Sequence, residues 1–365
     1  MKEILLAIRI KDWWYAIIAP VIAFYFIGLQ YSEVSLELHH IYKAFLLLLL
    51  SISVASFGFY LNEWTDIEED IKAGKKNHVA EFNKTKAFSI FFSIIILILI
   101  SSILFWQYRI ALVLIVVQIL LLSIYSCPPI RLKRSPYIAV ILDSLYSGTI
   151  FFIIALLYSN AILTYKLILF TIIFGLCRGL RNIIFHIEKD IEVDQKAGQK
   201  TIAHLVNSQK LYRLQSFLFI PEVLSLLLIV YPTSFYTFYI LLLGVIILLV
   251  KINYYHFYVS NEITKKKKWL AEINTIYEVW LPIAVIIGTI YIWGAKAIFL
   301  SCIFIALLFP NTYIVFHELY LLLLNIYFVG YKVFYLISDL YFIHTKPHFD
   351  IGKWWRKLRG KNEYI

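Results

Sequence analysis

Residues 42–61 read YKAFLLLLLSISVASFGFYL and run directly into Asn62-Glu63-Trp64-Thr65-Asp66-Ile67-Glu68-Glu69-Asp70. An almost uncharged run of that length is what a helix needs to cross about 30 Å of hydrocarbon. The amide and acids that follow mark where the chain leaves it. Asp190-Ile191-Glu192-Val193-Asp194 also follows an apolar run and repeats the Asp-x-x-x-Asp spacing, each aspartate 124 positions after its counterpart. The rest of the chain reads as scaffold for these two acidic ends.

Runs like the first recur along the chain, at 12–30, 42–61, 87–106, 110–127, 137–158, 163–185, 212–231, 234–253 and 273–294. With 61% hydrophobic residues, 16% charged and a mean hydropathy of +0.78, the chain is more apolar than a soluble domain, whose apolar share is about 45–50%. Ten-residue alternating strands are absent, and a lone strand cannot satisfy its backbone in lipid. The expected fold is therefore an all-α integral membrane bundle of nine core transmembrane helices plus one or two C-terminal apolar helices. Residues 1–295 form the membrane domain and 296–365 an apolar extension with a basic tail. The segment Met1–Lys11 lacks a short apolar core followed by a small-residue cleavage site, so the first span is expected to be retained.

The net charge of +11 could suggest nucleic acid, but most Lys and Arg fall in alternate loops, after the even-numbered spans. That is the positive-inside pattern. It places the N-terminus and both acidic ends on the cytoplasmic face of a multi-pass protein, with no nucleic-acid partner and no evident obligatory protein partner. Lys265–Lys268 reads as a solvated loop beside anionic headgroups. Past 294, the short run 297–310, the Pro310-Asn311 break and the long stretch 312–343 allow one span or two; the tail with Lys353, Arg356, Lys357 and Arg359 favours a single further crossing. Cys127, Cys177 and Cys302 lie far apart in or beside apolar runs, so neither a disulfide framework nor a zinc site is indicated.

On a helix, residues four apart share a face. Asn62, Asp66 and Asp70 form one polar stripe, and Asp190 and Asp194 another. Clustered carboxylates at a membrane edge need cations, and hard oxygen ligands without nearby Cys or His favour Mg²⁺. Because Mg²⁺ commonly completes its shell with water and substrate phosphate oxygens, two acidic ends bridged by it suit a diphosphate. Lys72, Lys75, Lys76, Arg131, Lys133, Lys196 and Lys200 lie in the same set of loops to complete a clamp.

These residues resemble the UbiA superfamily of intramembrane prenyltransferases. Asn62 to Asp70 is similar to that family's Asn-Asp-x-x-Asp-x-x-x-Asp signature, with Glu63 in place of the first Asp. Asp190 to Thr201, with Lys196-Ala197-Gly198-Gln199-Lys200-Thr201, is similar to the second signature and its tail. Tyr125-Ser126-Cys127-Pro128-Pro129-Ile130-Arg131-Leu132-Lys133 resembles the loop after the fourth helix. His186-Ile187, where many members carry Asn-Asp, leaves the second motif poorer in acids, and Glu188 either compensates or does not.

The resemblance implies Mg²⁺-dependent transfer of a prenyl chain from a polyprenyl diphosphate to a lipophilic acceptor, aromatic ones included, with diphosphate as leaving group. Asn62, Asp66, Asp70, Asp190 and Asp194 would hold metal, and Lys72, Lys76, Arg131, Lys133, Lys196 and Lys200 would bind the diphosphate. Two alternatives stand beside it: cyclisation of the diphosphate without an acceptor, and a multi-span transporter.

Other polar residues inside spans admit two readings each. Asp143 is either a contact for the acceptor or a satisfied polar position. Arg178 and Arg181 reach phosphate or snorkel to headgroups. His186 is an acceptor base or an interfacial hydrogen-bond partner. Glu222 and Glu278 line the cavity or pair with another residue. Arg9 and Lys11 resemble the family's basic start and equally fit plain anchoring.

Overall fold

The computed structural model describes residues 2–32, 36–103, 105–196, 201–258, 268–308, 314–316, 318–320 and 323; the side chains of Leu38, 192–194, Lys196, 253–258, Lys268 and Trp269 lie outside the described set. Lys200, the run Lys265–Lys267, most of 312–343 and the basic tail also fall outside it. The described residues form two units, Met1–Tyr313 and Ile314–Ile365.

Among the described residues nine helices are long and apolar enough to span a bilayer: Ile10–Tyr31, His39–Thr65, Lys84–Ile103, Arg109–Ser126, Pro136–Tyr158, Tyr165–Ile191, Ser208–Val230, Phe235–Ile252 and Leu270–Trp293. All nine coincide with the apolar runs read from sequence. A tenth helix, Ala295–Leu307, is too short to cross. It packs on the ninth span, sets Phe304 edge-on against Phe26 at 5.4 Å, and receives the Trp14 indole N–H at the Leu307 carbonyl. The first unit therefore extends past residue 295.

The first span is the hub. It packs against the fifth and ninth, with Phe24 stacked on Phe152 at 4.5 Å and on Phe174 at 5.6 Å. The third and fourth spans lie at the periphery, where Phe92, Ile96, Leu99, Ile103, Val113 and Val116 are exposed. In water such a band would be an association site; here it is the surface that meets lipid.

Lipid tails are as apolar as leucine, so helix association rests on close packing and small residues. The fifth and sixth spans meet through Gly148, Gly175 and Gly179. A Cβ on Gly179 would come within 2.4 Å of the Ser144 backbone, and one on Gly175 within 2.7 Å of the Thr149 backbone. Gly179→Leu is expected to push the two spans apart and lower the detergent-solubilised unfolding midpoint by several degrees, since overpacking costs about 1–3 kcal/mol or more. An unchanged midpoint would show that this contact is slack.

Three spans widen for one turn into π-helix, at Trp14–Ile18, Leu145–Thr149 and Ile276–Trp280. A π-turn takes carbonyls out of the regular ladder, and in a membrane those must find donors. Side chains supply them at the first two. Gln118 donates to the Tyr146 carbonyl at 2.9 Å and Thr149 to the Ser144 carbonyl at 2.9 Å, while Arg178 donates to the Ala16 carbonyl.

Candidate active site

The second span ends at Thr65, where Asp66 leaves helical geometry and the short helix Ile67–Lys72 begins. The bend leaves Asn62 on the span and Asp66 at its cap, while Asp70 rides on the short helix. The loop between the fourth and fifth spans reaches back over this corner. Arg131, at φ 41° in the left-handed region, holds a backbone conformation that costs a non-glycine residue about 1–2 kcal/mol.

Its guanidinium forks onto Glu69 at 2.7 and 2.9 Å, and donates to Asp66 Oδ1 at 2.6 Å and the Thr65 carbonyl at 3.2 Å. Lys133 Nζ donates to Asn62 Oδ1 at 2.9 Å and pairs with Asp66. Arg134 adds a second cation on Glu69, at 2.8 Å. Asp66 is thus gripped by two cations whose side chains are each 9% exposed.

Asp70 accepts from the Asn77 amide at 2.9 Å. Burial pushes its carboxyl up from the usual range, the Asn77 bond opposes that shift, and the charge on Asp66 adds to it. Burial likewise pulls the Lys133 ammonium down, with Asp66 opposing. Each burial shift disfavours the charged form. A cation beside Asp70 and an anion beside Lys133 would relieve both.

Glu63, which replaces the first signature aspartate, is buried and used structurally. Its carboxylate accepts the His78 backbone N–H at 3.2 Å and its carbonyl accepts from Asn77 at 2.7 Å. Arg9 stands 4.0 Å from it. Through these contacts Glu63 anchors the loop after the short helix.

Both acidic ends open into one cavity of about 870 Å³. Asn62, Asp66, Asp70, Lys75, Lys76 and Lys133 line it from one side, and His186, Lys189 and Asp190 from the other. Its lining also includes Val54, Leu122 and Phe151, together with Asp143, Tyr146 and Arg178. A concave, largely apolar site with a few converging polar groups is the usual form of a small-molecule pocket.

Other residues singled out from the sequence are placed elsewhere. Arg131 stands behind Asp66 and does not line the cavity; Lys72 is exposed and also outside it. Arg181 is not a cavity residue either. Its guanidinium is taken by Glu222 at 2.6 and 2.8 Å, the Leu270 carbonyl at 2.9 Å and Asn274 at 2.9 Å. Of the two readings of Glu222, pairing is therefore the one the structure takes. Glu188 is not among the cavity-lining residues, and Ser208 and Gln215 donate to its carboxylate at 2.9 and 2.7 Å. Asp194 and Lys196 lie on the helix Tyr165–Lys196 with side chains outside the described set, and Lys200 is outside it entirely.

Sequence reasoning passed over Gln118, Tyr146 and Asn182, all on the cavity wall. An intramembrane glutamine is itself a signal and could have been found. Tyr146 could not be told apart among 27 tyrosines.

Among the described residues no three His, Cys, Asp or Glu side chains form a ready cluster for a metal ion. The donor chemistry nonetheless fits a hard cation. Asn62, Asp66, Asp70 and Asp190 offer oxygen ligands around one opening, and Mg²⁺ takes one or two carboxylates plus substrate phosphate more readily than an all-protein cage.

The model of the UbiA prenyltransferase family matches residues 17–276. The chain belongs to this family. Solved structures share the UbiA fold. One described as giving insight into digeranylgeranylglyceryl phosphate synthase in membranes superposes with a TM-score of 0.57 at 19% identity, covering 80% of this chain and 98% of that one. UbiA homologues from Archaeoglobus fulgidus, one bound to DMAPP and Mg²⁺ and another to GPP and Mg²⁺, each superpose with a TM-score of 0.50 at 16% identity, covering 85% of this chain and 99% of theirs. A search of curated protein sequences gave no match. This UbiA-family chain is an integral, multi-pass membrane protein with a prenyltransferase fold.

Proposed function

We propose that the protein transfers a prenyl chain from a polyprenyl diphosphate to a lipophilic acceptor within the membrane, releasing diphosphate. One observation carries the reading: Asn62, Asp66, Asp70 and Lys133 of the first acidic corner and Asp190 of the second end, 124 residues after Asp66, line a single cavity that also has apolar walls. Membership of the family and the DMAPP, GPP and Mg²⁺ bound by relatives of this fold support it.

Asn62, Asp66, Asp70, Asp190 and Asp194 would hold Mg²⁺, which supplies Lewis-acid stabilisation of charge on the departing diphosphate. Lys133, with Lys75 and Lys76 at the rim, provides fixed positive charge where the leaving oxygens gather electrons; Lys196 and Lys200 on the second tail would add to it. Arg131 acts one step back, holding Asp66 in place. The apolar depth accommodates the prenyl chain and shields the allylic carbon from water as its C–O bond breaks. Aromatic faces such as Phe151 and Tyr146 lie where a developing cation could be stabilised. In this reading the mouth faces the cytoplasm, where the basic loops are retained.

The test is incubation of membranes containing the protein with labelled geranylgeranyl diphosphate and a lipid extract, with and without chelator. The expected result is a labelled product heavier than the prenyl alcohol, formed only with Mg²⁺. A hydrocarbon of unaugmented mass would favour cyclisation, and labelled diphosphate moved intact across proteoliposomes would favour transport.

A further inference from the structure

Arg178 and Arg181 sit one turn apart on the sixth span, both nearly inaccessible to solvent at 2% and 1%, and only one is saturated. Arg181 has a carboxylate on its fork and two further oxygens. Arg178 donates one N–H to the Ala16 carbonyl in the π-turn of the first span. Its Nε is buried with no partner, and no carboxylate among the described residues pairs with it. Its Cζ stands 4.3 Å from the Tyr277 ring centroid and 5.5 Å from that of Phe152. Two rings and one carbonyl fix the guanidinium against the cavity wall.

Room for it is built into the neighbouring span, where a Cβ on Gly148 would come within 2.5 Å of Nη1. Asp143 lies in the same wall and forms no ion pair with Arg178. A guanidinium carries five N–H donors in a planar fork, and leaving charged donors unmade in a buried site costs more than the about 1–3 kcal/mol of a neutral one. Arg178 is a lining residue of the cavity with that donor capacity unmet.

That ligand group is not the diphosphate. On the continuous helix Tyr165–Lys196, Arg178 lies twelve residues before Asp190, about 18 Å along the axis at ~1.5 Å per residue. A diphosphate held between Asp190 and the Asp66 corner does not extend that far into the bundle.

We infer that Arg178, cradled by Gly148, Phe152 and Tyr277, forms a second subsite that binds an oxyanion of the acceptor, a carboxylate or a phosphate monoester, through paired N–H···O contacts. Such two-point recognition is what a guanidinium fork does best. The inference rests on the prenyl-transfer reading for the word acceptor, and it gives that acceptor a chemical class. It also gives a polarity: anionic end toward Arg178, reacting carbon toward the diphosphate.

The test uses the full chain in detergent and three probes with one tail: 4-hexylbenzoate, 4-hexylphenyl phosphate and 4-hexylphenol. The wild type is expected to bind one of the two anions at least about tenfold more tightly than the phenol, as a charge-assisted pair added to a common apolar contact predicts. The anion preferred tells carboxylate from phosphate. Arg178→Gln and, independently, Gly148→Ala, which displaces the guanidinium without removing it, are expected to abolish the preference. Affinity for geranylgeranyl diphosphate with Mg²⁺ should stay within about twofold in both, which also reports that they fold. Equal binding of all three probes by the wild type overturns the inference even if neither variant can be made, and so does a preference that survives both substitutions. Failure of the wild type to bind geranylgeranyl diphosphate would instead strike at the prenyl-transfer reading, with the anion preference still measurable.

Discussion

Asp66→Asn is expected to lose prenyl transfer by about 10²–10³-fold or more in kcat, the scale on which removal of one electrostatic stabiliser acts, while leaving the protein folded. Asparagine is the informative replacement because Asp66 has two jobs. It is a prospective metal ligand, and it is also the acceptor for Arg131 at 2.6 Å and for Lys133. The amide oxygen keeps an acceptor for those donors, and Arg131 retains its fork on Glu69 at 2.7 and 2.9 Å. What disappears is the negative charge that a cation needs. Asp66→Ala would remove both functions and leave Arg131 and Lys133 each short of a partner, confounding catalysis with folding.

The measurement is diphosphate released per unit of detergent-extracted protein, alongside its thermal midpoint. Loss of release with a midpoint within a few degrees of wild type is the expected pair of results. Undiminished release from Asp66→Asn would remove the first motif from the chemistry and with it the proposed function.

The largest effect on stability is expected at Glu222, away from the cavity. Its carboxylate and the Arg181 guanidinium are each only 1% exposed and meet at 2.6 Å, tying the sixth span to the seventh, while Arg181 also reaches Leu270 and Asn274 of the ninth. Glu222→Leu strands a guanidinium in a dry interior, and breaking a buried pair in this way costs about 3–5 kcal/mol. The double variant Arg181→Met with Glu222→Leu removes both charges and is expected to regain most of that loss, since a buried ion pair replaced by apolar groups of similar size is often neutral. Thermal unfolding in detergent decides it. A single variant as stable as the wild type would mean that water or another residue compensates Arg181.

The chain's legibility was uneven, and the reasons are physical. Hydropathy is a local property, so the nine spans could be found from windows of about twenty residues. The Asp-x-x-x-Asp repeats were equally plain, because residues four apart share a helix face whatever the fold does. The π-turns were not visible, because a widened turn is chosen by packing against neighbouring helices and by donors on them, such as Gln118 for the Tyr146 carbonyl. Loop cations were also beyond sequence reasoning. Arg131 and Lys133 are two residues apart in one short loop, and the left-handed turn at Arg131 sends its guanidinium to the back of Asp66 while Lys133 lines the cavity.

The sequence by itself determined the membrane class, the number of core spans and the pairing of two acidic ends with basic loops, since these follow from composition and helical periodicity. Only the tertiary structure decided which polar groups inside the bundle are spoken for. Arg178 and Arg181 differ by three positions and by nothing in their chemistry. The partner that silences Arg181 is 41 residues away at Glu222, and the wall that leaves Arg178 open is made by the first, fifth and ninth spans. A charge in a low-dielectric interior is defined by what other helices bring to it, and that is settled by packing.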